Sequence, residues 1–155
     1  MIIVYIGNVG YPDMASSIHV RNRGIFMKTF GHEVHVLCEL ASDGKRMEEV
    51  DELTYQYMDP YPGQGKIRGA YWNLDQVFGK FYFKQTQKYI DKIKPDVVIL
   101  YEPNSILYIL KMLKLSKKEG FKLVIETTEW RNPKDYRGII SRVINTEKDL
   151  QKKIY

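Results

Sequence analysis

From Met1 to Glu39 the chain reads as one βαβ unit, which sets two parallel strands side by side with a helix between them. Ile2-Ile3-Val4-Tyr5-Ile6 is short, apolar and rich in β-branched residues, as suits a strand buried on both faces. Gly7 and Gly10 come next, in a turn that runs to Ser17 and lets a polar ligand approach the backbone. Ser16 or Ser17 is placed to cap the next helix, whose first-turn N–H groups and positive dipole end then face the space above the strand ends. Gly31-His32-Glu33 closes that helix, and Val34-His35-Val36-Leu37-Cys38 is the second strand.

The turn is not a dinucleotide fingerprint. Gly7 and Gly10 stand three apart, and no third glycine is present to pack helix against strand. The two glycines either shape a tight strand-to-helix turn or admit a ligand. Counted back at 3.6 residues per turn, the helical stripe of Phe30, Met27 and Phe26 continues through Arg23, His19 or Val20, and Ser16. One face thus passes from apolar to polar toward its N-terminal end, which in a doubly wound fold lies at the ligand-binding edge of the sheet. Ser16, His19 and Arg23 are cleft candidates on this reading, and ordinary surface residues on the other.

Strand-like and helical runs alternate along the rest of the chain, the pattern of an α/β protein. The acidic stretch from Asp43 to Glu52 reads as turn, and Leu53 to Met58 as the third strand. Asp59 to Gly65 is a Pro- and Gly-rich loop. One long helix is expected from about Tyr71 to Lys94, bent or interrupted at Gly79 and stopped by Pro95-Asp96. Val97 to Tyr101 is a buried strand, and Glu102-Pro103-Asn104-Ser105 a polar turn capping a helix from Ile106 to Lys118. Lys122 to Glu126 is the last clear strand, and the tail from Arg137 reads as helical. The fold class is therefore α/β, Rossmann-like and doubly wound, with a mainly parallel sheet and helices on both faces. At 155 residues it makes a single domain, 1–155.

Three turns leave strands on the same side of this sheet, so they converge on one crevice. It would gather Glu102, Asn104, Glu129, Trp130 and Arg131 beside the glycine turn. Carboxylates, an aromatic plane, an amide and a guanidinium are the groups that hold hydroxyl-rich sugars. No metal is expected, since His19, His32 and His35 do not cluster with carboxylates at ligand spacing.

Charge narrows the partners. The net charge is +5, with Lys80, Lys84, Lys88 and Lys92 along one helix face and Lys111, Lys114, Lys117 and Lys118 on a second helix. These lysines either rest on an anionic membrane surface or form a solvated face. No nucleic-acid partner is expected, because no recognition helix, RNP or zinc signature is present. No apolar run is long enough to span a membrane, and the first residues do not read as a signal peptide. Cys38 is the one cysteine and forms no internal disulfide. The expected location is cytoplasmic, with membrane-peripheral placement left open.

The stretch Ala15-Ser16-Ser17-Ile18-His19-Val20-Arg21-Asn22, with Gly31-His32-Glu33-Val34 after it, resembles the N-terminal domain of retaining GT-B-fold glycosyltransferases of the family 4 group. Pro95-Asp96-Val97-Val98 with Tyr101 fits that family's fourth strand, and Glu126 to Trp130 the loop after its fifth. The resemblance implies an acceptor-binding half that works with a second, nucleotide-sugar-binding half carrying a glutamate pair. This sequence ends where the connecting helix would run, so the donor half is expected to be absent and the isolated chain inactive.

By the same resemblance Gly10 faces the donor phosphates or the acceptor. Thr128-Glu129-Trp130 occupies the place where many members carry a histidine; none stands here, and Glu129 is the catalytic candidate. The expected substrate-binding residues are Gly7, Gly10, Tyr11, Ser16, Ser17, His19, Arg23, Glu102, Asn104, Thr128, Trp130 and Arg131. No cofactor is expected, the nucleotide sugar being a substrate, and the acceptor is a sugar-containing polysaccharide or glycolipid. Two alternatives stand beside this: a non-catalytic module binding a nucleotide or anionic ligand at the glycine turn, and a subunit docking a separate catalytic chain through Ile139, Ile140, Val143 and Ile144.

Overall fold

A computed structural model describes residues 1–7, 15–38, 46–103 and 105–127 of the chain. Strands β1 (Ile2–Gly7), β2 (Glu33–Cys38), β3 (Met47–Val50), β4 (Leu53–Tyr57), β5 (Val97–Tyr101) and β6 (Lys122–Glu126) form one sheet in the order β3-β4-β2-β1-β5-β6. Every pairing is parallel except β3 with β4. Helices are α1 (Ala15–Thr29), α2 (Gly65–Phe78), α3 (Lys80–Ile93) and α4 (Ile106–Glu119). This is the Rossmann-like, mostly parallel α/β architecture expected from the alternation of runs.

Alternation along each strand divides the core between the two faces of the sheet. Ile3, Tyr5, Val34, Val36, Leu53, Tyr55 and Ile99 pack with Val20 of α1 on one face. Val4, Ile6, Leu37, Val98 and Leu100 pack with Tyr89 and Ile90 of α3 and Ile109 and Met112 of α4 on the other. His35 belongs to this second face. It is 8% exposed, its Nε2 is 2.7 Å from Glu33 Oε1 and its Nδ1 is 3.2 Å from the Tyr89 hydroxyl.

The helix stops and starts follow their residue chemistry. Gly31 and Gly120 are left-handed, with φ of 77° and 84°. Ser105 caps α4, its Oγ accepting the Tyr108 N–H at 3.3 Å.

Three expectations need correction. The acidic stretch before Leu53 contains a strand, β3, paired in a hairpin with β4. Asp51 and Glu52 both take positive φ, 48° and 63°, which is what a two-residue turn of matching twist demands. Glu48 and Glu49 hide the strand in the sequence but suit it as a charged edge, and Glu48 accepts the Tyr57 hydroxyl.

The helix expected up to Lys94 is interrupted at Gly79, as its sequence allowed, but the part before the break starts at Gly65, inside the segment read as loop. Gly79 makes the break in a left-handed conformation, φ 53°, and a Cβ there would sit 2.6 Å from Tyr108 Cβ. Asp75 then receives the orphan amides of Phe81 and Tyr82 at 2.7 and 2.9 Å, so α3 is capped by a side chain of the preceding helix.

The third correction concerns α1. Phe26 and Phe30 do not pack on the sheet; they are 63% and 65% exposed and stack edge to face at 5.0 Å. The helix lies instead on Ser17, Val20 and Gly24, because the missing side chain of Gly24 lets it settle against Leu53 and Val34. It also begins at Ala15, which puts Ser16 and Ser17 inside the first turn and not at the cap.

Candidate functional site

The chain runs outward from β1 on one side and returns to β5 on the other, so β1 and β5 flank the switch point of the sheet. Ligands of doubly wound sheets bind above such a point, outside the carboxyl ends of the strands. A shallow, solvent-open pocket lies there, bordered by Ile6, Gly7, Tyr82, Glu102 and Tyr108.

Its floor is the end of β1. Gly7 approaches Tyr101 so closely that a Cβ would come within 2.0 Å of the Tyr101 carbonyl oxygen. The Gly7 carbonyl accepts the Tyr82 hydroxyl at 2.8 Å. Tyr61, Gln76, Tyr82 and Glu102 are polar residues of its wall. Asp75 also lines it, but its carboxylate is buried and taken up by the α3 amides and by Tyr61, whose hydroxyl lies 3.2 Å away. Glu102 has φ 46°, a left-handed conformation that costs a non-glycine residue about 1 kcal/mol and that gathers at functional sites.

A second polar group lies on the opposite face of the same edge. Glu126, the last residue of β6, receives His19 Nε2 at 2.6 Å and Arg23 Nη1 at 2.9 Å, both on one Oε1. The His19 ring stacks on Tyr101, with centroids 5.6 Å apart and planes inclined by 29°. Beneath them Tyr5 is fully buried; burial and the Glu126 carboxylate push its hydroxyl up to about 12, against the opposing pull of Arg23. The two groups meet at the end of β5. Tyr101 belongs to one and Glu102 to the other, and the Glu102 N–H donates to the Glu126 carbonyl at 2.9 Å.

Of the residues singled out from sequence, Gly7 and Glu102 line the pocket, and His19 and Arg23 meet at Glu126. Ser17 is fully buried with its hydroxyl unpartnered, and Ser16 is placed only by its backbone in α1. Gly10, Tyr11, Asn104, Thr128, Glu129, Trp130 and Arg131 lie outside the described residues.

Sequence reasoning missed Glu126 itself, although a carboxylate closing an apolar strand at the ligand edge was a usable signal. It also missed Tyr61, Gln76 and Tyr82, whose place in the pocket depends on how the loop before α2 and the two helices after it fold back over the end of β1. Among the described residues no group of three or more His, Cys, Asp or Glu is placed to hold a metal ion. None of the described helices is long and apolar enough to cross a membrane.

No protein family and no curated protein sequence matches this chain. Among solved structures, sucrose-phosphate synthase from Thermosynechococcus elongatus is similar, with a TM-score of 0.60 at 11% identity over 94% of this chain. The match covers 39% of that protein, so the chain spans about two fifths of its length. Phenylacrylic acid decarboxylase from Aquifex aeolicus aligns over 96% of the chain with a TM-score of 0.35 at 11% identity, too low to bear on the fold. The first likeness shows a glycosyltransferase-like fold.

Proposed function

We infer that this chain is the acceptor-binding half of a glycosyltransferase, working with a nucleotide-sugar-binding half to glycosylate a polysaccharide or glycolipid. The observation that supports this reading is the junction at Tyr101 and Glu102, where a tyrosine-walled pocket and the His19–Arg23–Glu126 cluster share one edge of a glycosyltransferase-like sheet. The pocket offers what a sugar ring needs: phenol and amide groups for its hydroxyls, aromatic surface for its C–H face, and a carboxylate at Glu102 to orient one hydroxyl. Across the strand end, Arg23 is half exposed and commits one N–H to Glu126. The rest of its fork suits a diphosphate leaving group. Catalysis by such a site is alignment plus charge stabilisation: the acceptor hydroxyl is held beside the anomeric carbon, and basic groups meet the departing phosphate.

Calorimetric screening of neutral and acidic oligosaccharides against the chain tests the acceptor assignment. Glu102→Gln and Gln76→Ala should each weaken a bound glycan roughly tenfold, the effect of one lost hydrogen bond to a charged or amide group. In a transfer assay with the donor-binding half supplied, Arg23→Ala should lower turnover more than acceptor affinity, and Glu129→Gln is the first substitution to make for the reacting hydroxyl. If no glycan binds and a free nucleotide does, with Gly10→Val abolishing it, the non-catalytic module replaces this reading.

A further inference from the structure

α2 is a helix that covers almost nothing. Every residue from Gly65 to Leu74 is exposed, and Asp75 is its one buried residue. Yet Ile67, Tyr71, Leu74 and Phe78 recur at intervals of four, three and four, which aligns them in a single apolar line along the helix. They are 62%, 50%, 58% and 54% exposed, and Trp72 beside them is 43% exposed. Soluble monomers seldom leave so continuous an apolar line open to water. The line extends onto α4. Lys111 Nζ donates to the Phe78 carbonyl at 2.9 Å and Ser105 Oγ to the Val77 carbonyl at 2.6 Å, which fixes α4 to the end of α2. From there Leu107 and Leu110 add 42% and 47% exposed apolar side chains.

Charge identifies what meets this surface. The exposed charges of α2 are Lys66 and Arg68, both basic; its one acid, Asp75, is buried under the α3 amides. Lys80 and Lys84 open α3 and Lys114 lies beyond Leu110 on α4, all exposed. An apolar line with tyrosine and tryptophan on it, rimmed by cations and without an exposed carboxylate on the helix, has the composition of an interfacial helix on anionic lipid. Its 14 residues span about 21 Å at 1.5 Å per residue, too short to cross a bilayer and suited to lying in its plane.

We propose that α2, with the start of α4, docks this protein onto an anionic membrane surface by sinking Ile67, Tyr71, Trp72, Leu74 and Phe78 into the headgroup boundary. Docking has a consequence for the pocket. Asp75, Gln76 and Gly79 at the end of α2 line it, so the membrane-bound protein holds its pocket at headgroup level. That placement matches a lipid-linked acceptor, a consequence that rests on the acceptor reading above; the docking itself does not, and vesicle binding reports on it without any sugar.

The chain has two tryptophans, so Trp130→Phe leaves Trp72 as the sole reporter. With vesicles of mixed phosphatidylcholine and phosphatidylglycerol, Trp72 emission should shift to the blue, iodide quenching should fall, and the protein should co-sediment. Pure phosphatidylcholine should bind far less, and added salt should weaken binding to the anionic vesicles.

Leu74→Ser and Phe78→Ser should each lower partitioning roughly tenfold, and Lys66→Gln with Arg68→Gln about tenfold together, with unchanged circular dichroism and melting. Three results overturn the proposal. One is an absence of binding to anionic vesicles, or binding that Leu74→Ser with Phe78→Ser leaves intact. Another is a dimer in lipid-free light scattering that the same substitutions abolish, which assigns the surface to a second copy. The third is a Trp72 already shielded from iodide without lipid.

Discussion

α1 and α2 both come after a strand of the parallel sheet, and they resolve the same problem in opposite ways. α1 carries the bulky Phe26 on a flank, with Phe30 just past its end, and is nevertheless pressed onto the core through Val20 and the bare backbone of Gly24. α2 carries a regular apolar line and turns it outward, leaning on α3 and α4. Regular spacing therefore shows that a helix has an apolar face, while the shape of the neighbouring surface decides whether that face meets the protein or something else. The polar continuation of α1's flank makes the same point. His19 and Arg23 lie in line with Phe26 and Phe30, and only the position of β6 turns them into partners of Glu126.

The contrast can be broken most severely from below α1. Tyr5 and Tyr55 lie under that helix and Tyr89 on the other face of the sheet, each pushed up to about 12 chiefly by burial. A phenol raised from 10.0 in the unfolded chain favours the folded state fully below pH 10, and that contribution is lost as pH climbs toward 12. Denaturant unfolding measured across this range should show stability collapsing between about pH 10 and 12, with Tyr5→Phe and Tyr55→Phe blunting the collapse.

Next in size, Gly24→Leu should cost about 3 kcal/mol, because a Cβ there already meets Leu53 Cδ1 at 2.8 Å; the urea midpoint measures it. Val20→Ala, at a fully buried position, should cost about 2 kcal/mol by the same measurement. On α2 the signs change. A Cβ at Gly69 would meet nothing within 4 Å, so Gly69→Ala should stabilise by up to about 1 kcal/mol and raise the melting temperature. Leu74→Ala should move stability by no more than about 0.5 kcal/mol while still weakening vesicle binding, which separates a surface kept for a partner from one kept for the core.

Much of the fold was legible in the residues. The β-branched runs at Ile2, Val34, Val97 and Lys122 to Glu126 are strands, and Gly31, Ser105 and Gly120 mark helix ends, because these signals act over a few bonds. The β3 strand was not legible: Glu48 and Glu49 argue against a strand until an edge position and a Tyr57 partner are supplied. The interruption at Gly79 was legible, but the close approach of Tyr108, 29 residues later, that reserves the position for glycine was not. The site was half legible for the same reason. Gly7, His19, Arg23 and Glu102 stand out by type and position, whereas Glu126, Tyr61 and Tyr82 gain their roles from contacts made across the sheet.

Sequence alone determined the class of this protein: an alternating α/β chain with a mainly parallel sheet, both of which arise from local propensity and period. Tertiary structure alone decided which carboxylate meets His19 and Arg23, that Asp75 caps a neighbouring helix, and that the apolar line of α2 faces outward. Those outcomes depend on the distance between elements far apart in the chain. Hydrophobic burial and hydrogen bonding act through that distance, and no local pattern of residues contains it.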